Sequence, residues 1–366
     1  MAGVDVAIFH HPARDDDPPL VRLLAEARSR LMEHQLGLWS EAGARRVMVV
    51  PGREVAGEAF GGRLARLIDE HRIRRLVVMG SGAVPLLRPR DAERLVGAAT
   101  GSGRRAATNN RYSSDVCAIS DARVLRSIPA LPSDNALPRW LEEQAGFSVT
   151  ELPGRDRLAI DLDTPLDLAL LALDRGAPAG LPALAAAHEL AIPHLEALRA
   201  LATDPRRELL VFGRSGSRTL SWLERNVRCR VRFLAEERGL RASSPLAIAT
   251  EAAPHTTRPR RPPRATLGRL LAERGPDALA AIAGDLADGA IIDSRVLMAD
   301  RYGNEDAWPS AADRFASDLL RADQVHDEWL GALTRAAAAA TIPILLGAHT
   351  LVGPGIPLLL RRSSGG

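Results

Sequence analysis

Apolar segments of strand length alternate with amphipathic segments of helix length along the first half of the sequence. Strands are predicted at VDVAIF, RRVMVV, RRLVVMGSG and RLAIDL. The longest helix is predicted over LVRLLAEARSRLMEHQLGLWSEAG. Its inward face is predicted at Leu20, Leu24, Ala27, Leu31, Leu38 and Trp39. Strands separated by helices of this length indicate βαβ units and a mainly parallel sheet, and therefore an α/β fold.

The second half also has an α/β pattern. Strands are predicted in RRELLVFG, RCRVRFLAEERG, GAIID and TIPILLG, and one helical segment over 183–202. A chain of 366 residues suits two domains, which we place at 1–178 and 179–366. The Pro/Arg-rich run 253–265, APHTTRPRRPPRA, has no apolar periodicity and is predicted to be a loop.

Composition excludes several classes of site and partner. All 48 basic residues are arginines, so a Walker P-loop, a Schiff-base lysine and a lysine general base are excluded. A net charge of +3 with interspersed acids, and 4% aromatic residues, argue against a nucleic-acid partner. The two cysteines are far apart and form no CxxC, and no apolar run is long enough for a membrane span. We therefore expect a cytoplasmic protein without disulfides, a cysteine zinc site or a membrane partner.

The stretch 158–171, LAIDLDTPLDLALL, places two aspartates between apolar residues just before a predicted helix. Thr164 suits the N-cap, Pro165 the first turn, and Asp167 completes a T-x-x-D pattern similar to a capping box. Two interpretations are open. In the first, Asp163 and Asp167 serve only to cap a helix. In the second, the carboxylates of this stretch bind a ligand, because open α/β sheets bind ligands at strand ends beside helix N-termini.

Four segments together resemble nucleotidyltransferases of GT-A-like fold, nearest to the 2-phospholactate and phosphoenolpyruvate guanylyltransferases and then to the molybdenum-cofactor guanylyltransferases. LAIDLDTPLDL is similar to the family's D-x-D-T-P-x-D-L signature. Three further segments carry the resemblance. The family's helix and second strand are similar to MEHQLGLWSEAGARRVMVVPG, and the end of its third strand is similar to VVMGSGAVPLL. A segment of the family that contacts the substrate is similar to AATNN. The resemblance covers roughly residues 4–175. It implies a Rossmann-like three-layer α/β/α nucleotide-diphospho-sugar transferase domain, followed here by a second α/β domain.

The resemblance implies particular roles for residues of this chain. Asp161 and Asp163 are the expected catalytic, Mg²⁺-binding carboxylates, and Arg28 and Arg30 are the expected phosphate contacts. Thr108 and Asn109 are expected to contact the base or the acceptor. The expected partners are an NTP, either GTP or CTP, and a small-molecule acceptor.

Two segments depart from the family's pattern. The loop HHPARDDDPPL lacks glycine and carries three consecutive acids, and Gly80-Ser81-Gly82 stands where the family has an aspartate. Ser81 and its glycines could bind phosphate through hydroxyl and N–H groups, or could form only a tight turn. Two functions therefore remain open: Mg²⁺-dependent nucleotidyl transfer to a phosphorylated or sugar-like acceptor, or a binding or scaffold protein that has lost turnover. The sequence does not define the oligomeric state.

Three further features are weaker candidates. GRSGSR at 213–218 follows a predicted strand and opens a predicted helix, where N–H groups can bind an anion. Asp293 and His349 also stand at predicted strand ends. They could act as an acid and a base, or they could be structural residues. His10 and His11 lie near three aspartates, but their spacing fits no common zinc site and a solvated loop is the simpler interpretation.

Overall fold

The computed structural model describes residues 3–52, 59–129, 131, 134–236, 264–303 and 305–361. The described residues form two compact units. The first is drawn from Met1–Arg14 and Ala25–Leu162, and the second from Asp15–Leu24, Asp163–Leu240 and Pro259–Gly366. The chain passes from one unit to the other after Arg14, after Leu24 and after Leu162. The boundary predicted at residue 178 stays a prediction. Residues 253–263 of the predicted Pro/Arg-rich loop lie outside the described residues.

The first unit is built on a six-stranded sheet with the order β2-β1-β3-β5-β4-β6. The strands are β1 (Asp5–His10), β2 (Arg46–Pro51), β3 (Leu76–Gly80), β4 (Arg105–Thr108), β5 (Val116–Ile119) and β6 (Ser148–Glu151). β1 is parallel to β2 and β3, and β4 is parallel to β6. β5 runs antiparallel to both β3 and β4. The predicted mainly parallel sheet is confirmed, with one antiparallel strand in it.

Helices cover both faces of this sheet. They are α1 (Pro19–Glu41), α2 (Phe60–His71), α3 (Pro89–Thr100), α4 (Leu137–Glu143) and the short α5 (Arg155–Leu158). Val6 and Ile8 of β1 pack in one core with residues of α1 and α3, while Ala7 and Phe9 pack in another with α2 and α4. Successive strand residues point to opposite faces, so this alternation confirms the three-layer α/β/α prediction. The six residues predicted to face inward from α1 are all buried.

The second unit has a four-stranded sheet with the order β10-β9-β7-β8, and all its strand pairs are parallel. The strands are β7 (Glu208–Gly213), β8 (Arg230–Ala235), β9 (Gly289–Asp293) and β10 (Ile344–Gly347). The helices are α6 (Pro165–Leu171), α7 (Gly180–Ala187), α8 (Leu195–Thr203), α9 (Ser217–Asn226), α10 (Thr266–Arg274), α11 (Leu279–Leu286), α12 (Ser294–Tyr302), α13 (Ala311–Asp318), α14 (Glu328–Ala338), α15 (His349–Val352) and α16 (Ile356–Leu360). The predicted second α/β domain is confirmed. None of the described helices is long and apolar enough to cross a membrane.

Two local predictions are wrong. The segment RLAIDL is not a strand: its first residues complete α5, and the chain then runs on without a strand partner. The single helix predicted over 183–202 is two helices, α7 and α8, separated by a segment with left-handed backbone at Glu189 and His194. Pro193 lies in that segment, and a proline cannot supply the N–H group that a continuous helix needs.

The capping box predicted from Thr164 and Asp167 is confirmed within the second unit. Thr164 is the N-cap of α6, and its hydroxyl accepts from the Asp167 N–H group at 3.1 Å. Asp167 Oδ2 accepts in return from the N–H groups of Thr164 at 2.8 Å and Asp163 at 3.1 Å. The pKa of Asp167 is raised to about 7, first by burial and then by the charge of Asp163, while His349 opposes the rise. Asp167 is therefore a cap that titrates near neutral pH.

This titration predicts a pH-dependent effect of Asp167→Asn. Between the ordinary pKa of 3.8 and about 7 the folded unit holds a proton that the unfolded chain releases. The free energy of unfolding of the native protein therefore falls as the pH rises through this range. The asparagine side chain of the variant keeps an oxygen that can accept the hydrogen bonds of the cap, but it has no ionisable group. Relative to the native protein, its free energy of unfolding should rise by about 3 kcal/mol from pH 5 to pH 8. Guanidinium denaturation at both pH values measures this, and an equal difference at both would contradict it.

Candidate functional site at the end of the first sheet

The order in which the chain adds strands creates a reversal point at the carboxyl ends of β1 and β3, the place where open α/β sheets commonly have a ligand crevice. From β1 the chain first adds β2 on one side and then β3 on the other. The connections that leave the carboxyl ends of β1 and β3 therefore diverge to opposite sides. Ligands of open α/β sheets bind at such reversal points. His10 ends β1, and Ser81 follows Gly80, the last residue of β3.

The turn after β3 is fixed by hydrogen bonds to its backbone. The Ser81 N–H group donates to the Phe9 carbonyl at 2.9 Å, and the Ala83 N–H group donates to the Gly80 carbonyl at 3.1 Å. Gln35 Nε2, from α1, donates to the Ala83 carbonyl at 2.9 Å. Val84 follows with φ +43°, a conformation that β-branched residues rarely adopt. The turn is thus held in one shape at the crevice.

The Ser81 hydroxyl is paired with a buried histidine. Ser81 Oγ lies 3.0 Å from His10 Nδ1, and His10 Nε2 lies 3.2 Å from Ser29 Oγ on α1. Burial lowers the pKa of His10, and the positive charge of Arg28 lowers it further. A neutral imidazole is therefore held at the end of β1, between two hydroxyl groups.

Arg28 and the turn after β3 both hold the backbone of the LAIDLD segment. Arg28 Nε donates to the Leu162 carbonyl at 2.8 Å, and the Leu162 N–H group donates to the Gly82 carbonyl at 2.9 Å. A Cβ atom on Gly82 would lie 2.8 Å from the Leu162 oxygen and 2.9 Å from Arg28 Nε. Only glycine allows this close approach. Asp161, the residue before Leu162, is buried at the same edge.

The structure places the other predicted site residues as follows. Asp163 is exposed and begins the second unit. Arg30 Nη2 donates to Glu26 Oε1 at 2.6 Å along the same helix, at a partly exposed position. Among the residues that the structure describes, no group of three or more His, Cys, Asp or Glu side chains could hold a metal ion. The predicted roles of Asp161 and Asp163 as metal ligands stay predictions.

Thr108 is the last residue of β4 and Asn109 follows it, and the side chains of both form hydrogen bonds within the protein. Asn109 Nδ2 donates to Asp115 Oδ2 at 2.6 Å and to the Leu158 carbonyl at 2.8 Å, and Asn109 Oδ1 accepts from the Asp115 N–H group at 3.0 Å. Thr108 Oγ1 lies 2.9 Å from Ser114 Oγ. Both residues are buried, and their positions fix the loop between β4 and β5. Their predicted contact with a base or an acceptor stays a prediction.

The site therefore contains some of the predicted residues and two that sequence reasoning missed. Gly80, Ser81, Gly82 and Arg28 lie at the crevice, with the backbone of Leu162. The sequence indicates His10 only as part of a histidine and aspartate cluster, and it gives no signal for Ser29. The usable signal was that His10 and the Gly80-Ser81-Gly82 turn each end a predicted strand.

The second unit has a reversal point of its own, between β7 and β9. There the Arg214 guanidinium makes two hydrogen bonds to the buried Asp293 carboxylate, at 2.7 and 3.1 Å. Asp293 also accepts from the Arg295 N–H group as the N-cap of α12. Arg295 is itself buried and paired through both terminal nitrogens with the buried Asp318. The candidate acid Asp293 is thus part of an ion-paired, structural arrangement.

No protein-family model matches the sequence, and a sequence comparison with curated proteins gives no match. Three solved structures are similar in fold. A protein from Desulfovibrio desulfuricans, described as a nucleotide-diphospho-sugar transferase, is 15% identical with a TM-score of 0.40, over 52% of this chain and 96% of that chain. A cytidylyltransferase from Leptospira borgpetersenii is 13% identical with a TM-score of 0.30, over 52% and 96%.

The third is a CMP:2-keto-3-deoxy-manno-octonic acid synthetase complexed with CTP, 14% identical with a TM-score of 0.26, over 41% of this chain and 90% of that chain. Identities of 13–15% and TM-scores of 0.26–0.40 are too low to carry a residue role, a substrate or a metal to this chain.

The two glycines of the turn predict a matched pair of variants. Gly82→Ala should lower the melting temperature, because its Cβ would meet a backbone oxygen and Arg28 Nε at less than 3.0 Å. Gly80→Ala is the control, because a Cβ there meets nothing within 4 Å. An overpacked site typically costs about 1–3 kcal/mol. Differential scanning calorimetry compares the two variants, and equal melting temperatures would show that Leu162 and Arg28 do not approach Gly82 in solution.

Proposed function

We propose that the first unit is a nucleotidyltransferase domain that transfers a nucleotidyl group from an NTP to a small acceptor, with Mg²⁺. The observation that carries this proposal is the junction of Arg28, Gly82 and Leu162 at the reversal point of the sheet. There the Leu162 N–H group donates to the Gly82 carbonyl at 2.9 Å, and the Arg28 Nε group donates to the Leu162 carbonyl at 2.8 Å, so the residue after Asp161 lies against the turn after β3. The sequence resemblance and the crevice rule thus point to one edge of one sheet.

Arg28 is the proposed phosphate contact. Its Nε group holds the Leu162 carbonyl, so the guanidinium has a defined position at the crevice. A guanidinium presents several N–H groups in one plane, which suits two oxygens of a phosphate at once. The N–H groups and small size of Gly80 and Gly82 suit a close approach of phosphate to the backbone. Arg30 is a second proposed contact, although it is bonded to Glu26 in this structure.

The residues present suit Mg²⁺ better than a metal that needs a full set of protein ligands. Mg²⁺ is commonly held by one or two carboxylates together with substrate phosphates and water. Asp161 and Asp163, two residues apart in the chain, are the proposed ligands, and Asp161 is a buried carboxylate at the edge of the first sheet. When bound, the ion would offset the charge that develops on the transferred phosphate.

Titration of the full-length protein with GTP and with CTP tests this proposal. We expect one of them to bind in the presence of Mg²⁺, and Asp161→Asn to weaken that binding roughly tenfold or more, which corresponds to about 1.4 kcal/mol. Asp69→Asn is the control, because Asp69 is an exposed aspartate of the same unit that pairs with Arg126. Isothermal titration calorimetry with and without Mg²⁺ gives the affinities.

Three outcomes decide between the candidate functions. Binding followed by release of pyrophosphate supports the transferase. Mg²⁺-dependent binding without pyrophosphate release supports a ligand-binding or scaffold protein, which the hydroxyl of Ser81 in place of the family's carboxylate favours. No binding of either nucleotide by the native protein contradicts both.

A further inference from the structure

Ser29 defines one arrangement of hydrogen bonds around His10. Ser29 Oγ donates to the Ala25 carbonyl at 2.9 Å. With its one proton directed there, Ser29 accepts at 3.2 Å from a protonated His10 Nε2. In the neutral ring, Nδ1 is then the nitrogen with the lone pair. In this tautomer the Ser81 hydroxyl, 3.0 Å away, donates to Nδ1.

This arrangement has the parts of a proton relay. A hydroxyl is bonded to a neutral base within hydrogen-bond distance, and a third group fixes the tautomer of the base. The three side chains come from separate elements, since His10 ends β1, Ser29 lies on α1 and Ser81 follows β3. Burial and the nearby charge of Arg28 both favour the neutral imidazole, which is the form that can accept a proton.

Ser81 is buried, with 4% of its surface exposed, and its oxygen keeps a lone pair for a further hydrogen bond. Within the described part of the chain, the contact with His10 is the only side-chain hydrogen bond of Ser81. Since its proton is directed to His10, the hydroxyl can serve an incoming molecule only as an acceptor. Ser81 lies beside Gly82, at the reversal point of the sheet where the crevice rule places a ligand. A group that meets Ser81 Oγ there must bring its own proton.

We infer that Ser81 and His10 form a proton relay that deprotonates the acceptor, and that the acceptor therefore attacks the NTP through a hydroxyl group and not through a phosphate. The inference rests on the proposed nucleotidyl transfer. A phosphate oxygen is already ionised at neutral pH and needs no base, whereas an alcohol must lose a proton as it attacks.

The step balances with groups already named. The acceptor oxygen forms a bond to the α-phosphorus as its O–H bond breaks, and the bond from that phosphorus to the pyrophosphate oxygen breaks. Pyrophosphate leaves with the electron pair of that bond. The acceptor proton passes to Ser81 Oγ while the Ser81 proton passes to His10 Nδ1. Ser81 is the residue that touches the acceptor, and His10 acts through Ser81.

The test compares His10→Asn with His11→Asn in the full-length protein. Asparagine can still accept a hydrogen bond from Ser81 but cannot take up its proton, and His11 is the exposed neighbour in the chain. The probes are glycerol as an acceptor with hydroxyl groups and inorganic phosphate as an acceptor without an alcohol, each with Mg²⁺ and the NTP that binds. Pyrophosphate release is followed from pH 5 to pH 8, and calorimetry gives the affinity for the NTP.

We expect His10→Asn to lower kcat with glycerol roughly 10²–10⁴-fold, with the NTP affinity and the rate with phosphate unchanged. The native rate with glycerol should fall at a pH below 6.5 as His10 is protonated, and this fall should be absent from the variant. His11→Asn should behave as the native protein does. Ser81→Ala should lose the glycerol rate as well.

Three results would overturn the inference. If His10→Asn binds the NTP and keeps the native rate and pH profile with glycerol, the relay is wrong while the proposed function stands. If the native protein transfers only to phosphate, the assignment of a hydroxyl acceptor is wrong. If the native protein binds no NTP, the proposed function fails and the relay fails with it.

Discussion

The pairing of β1 with a parallel strand on each side is the constraint on which the first unit depends. All six residues of β1 are buried, and their alternate side chains contribute to the cores on both faces of the sheet. A strand in this position cannot shift its register by one residue without exchanging the two faces. The register fixes His10 opposite Pro51 on one side and leaves it just beyond the pair of Phe9 with Gly80 on the other. The polar end of β1 is thereby delivered to the turn that carries Ser81.

The two units share one pattern of strand order but have different chemical groups at its reversal point. In each, the chain adds one strand on one side of the starting strand and the next strand on the other side. The second unit fills its reversal point with oppositely charged groups, Arg214 and Asp293, that satisfy one another. The first unit places a neutral imidazole and two hydroxyl groups there. Charges that are already paired have little left to offer a ligand, so the first unit has the better candidate site.

The sequence predicted the elements that carry long apolar runs, and it failed where the strands are short. β1, β2, β3 and the four strands of the second unit were predicted, because each lies in an apolar or alternating run bounded by polar residues or glycine. β4, β5 and β6 have four residues each, as β10 does, but they lack the longer apolar run IPILLG that marks β10. RLAIDL alternates as a strand does, but its backbone is held by Gly82 and Arg28 instead of a neighbouring strand. Gly82 and Arg28 could be predicted from the resemblance. The His10 and Ser81 pair could not, because it joins residues 71 positions apart through a strand order that sequence periodicity does not define.

The buried cap of α6 makes folding of the second unit a reaction that consumes protons. Because the pKa of Asp167 is about 7 in the folded unit and 3.8 in an ordinary aspartate, close to one proton is taken up on folding at pH 5 to 6. The buffer must supply that proton, so the heat of folding includes the ionisation heat of the buffer. Calorimetric enthalpies of this unit will therefore depend on which buffer is chosen, even where the structure and the pH are the same.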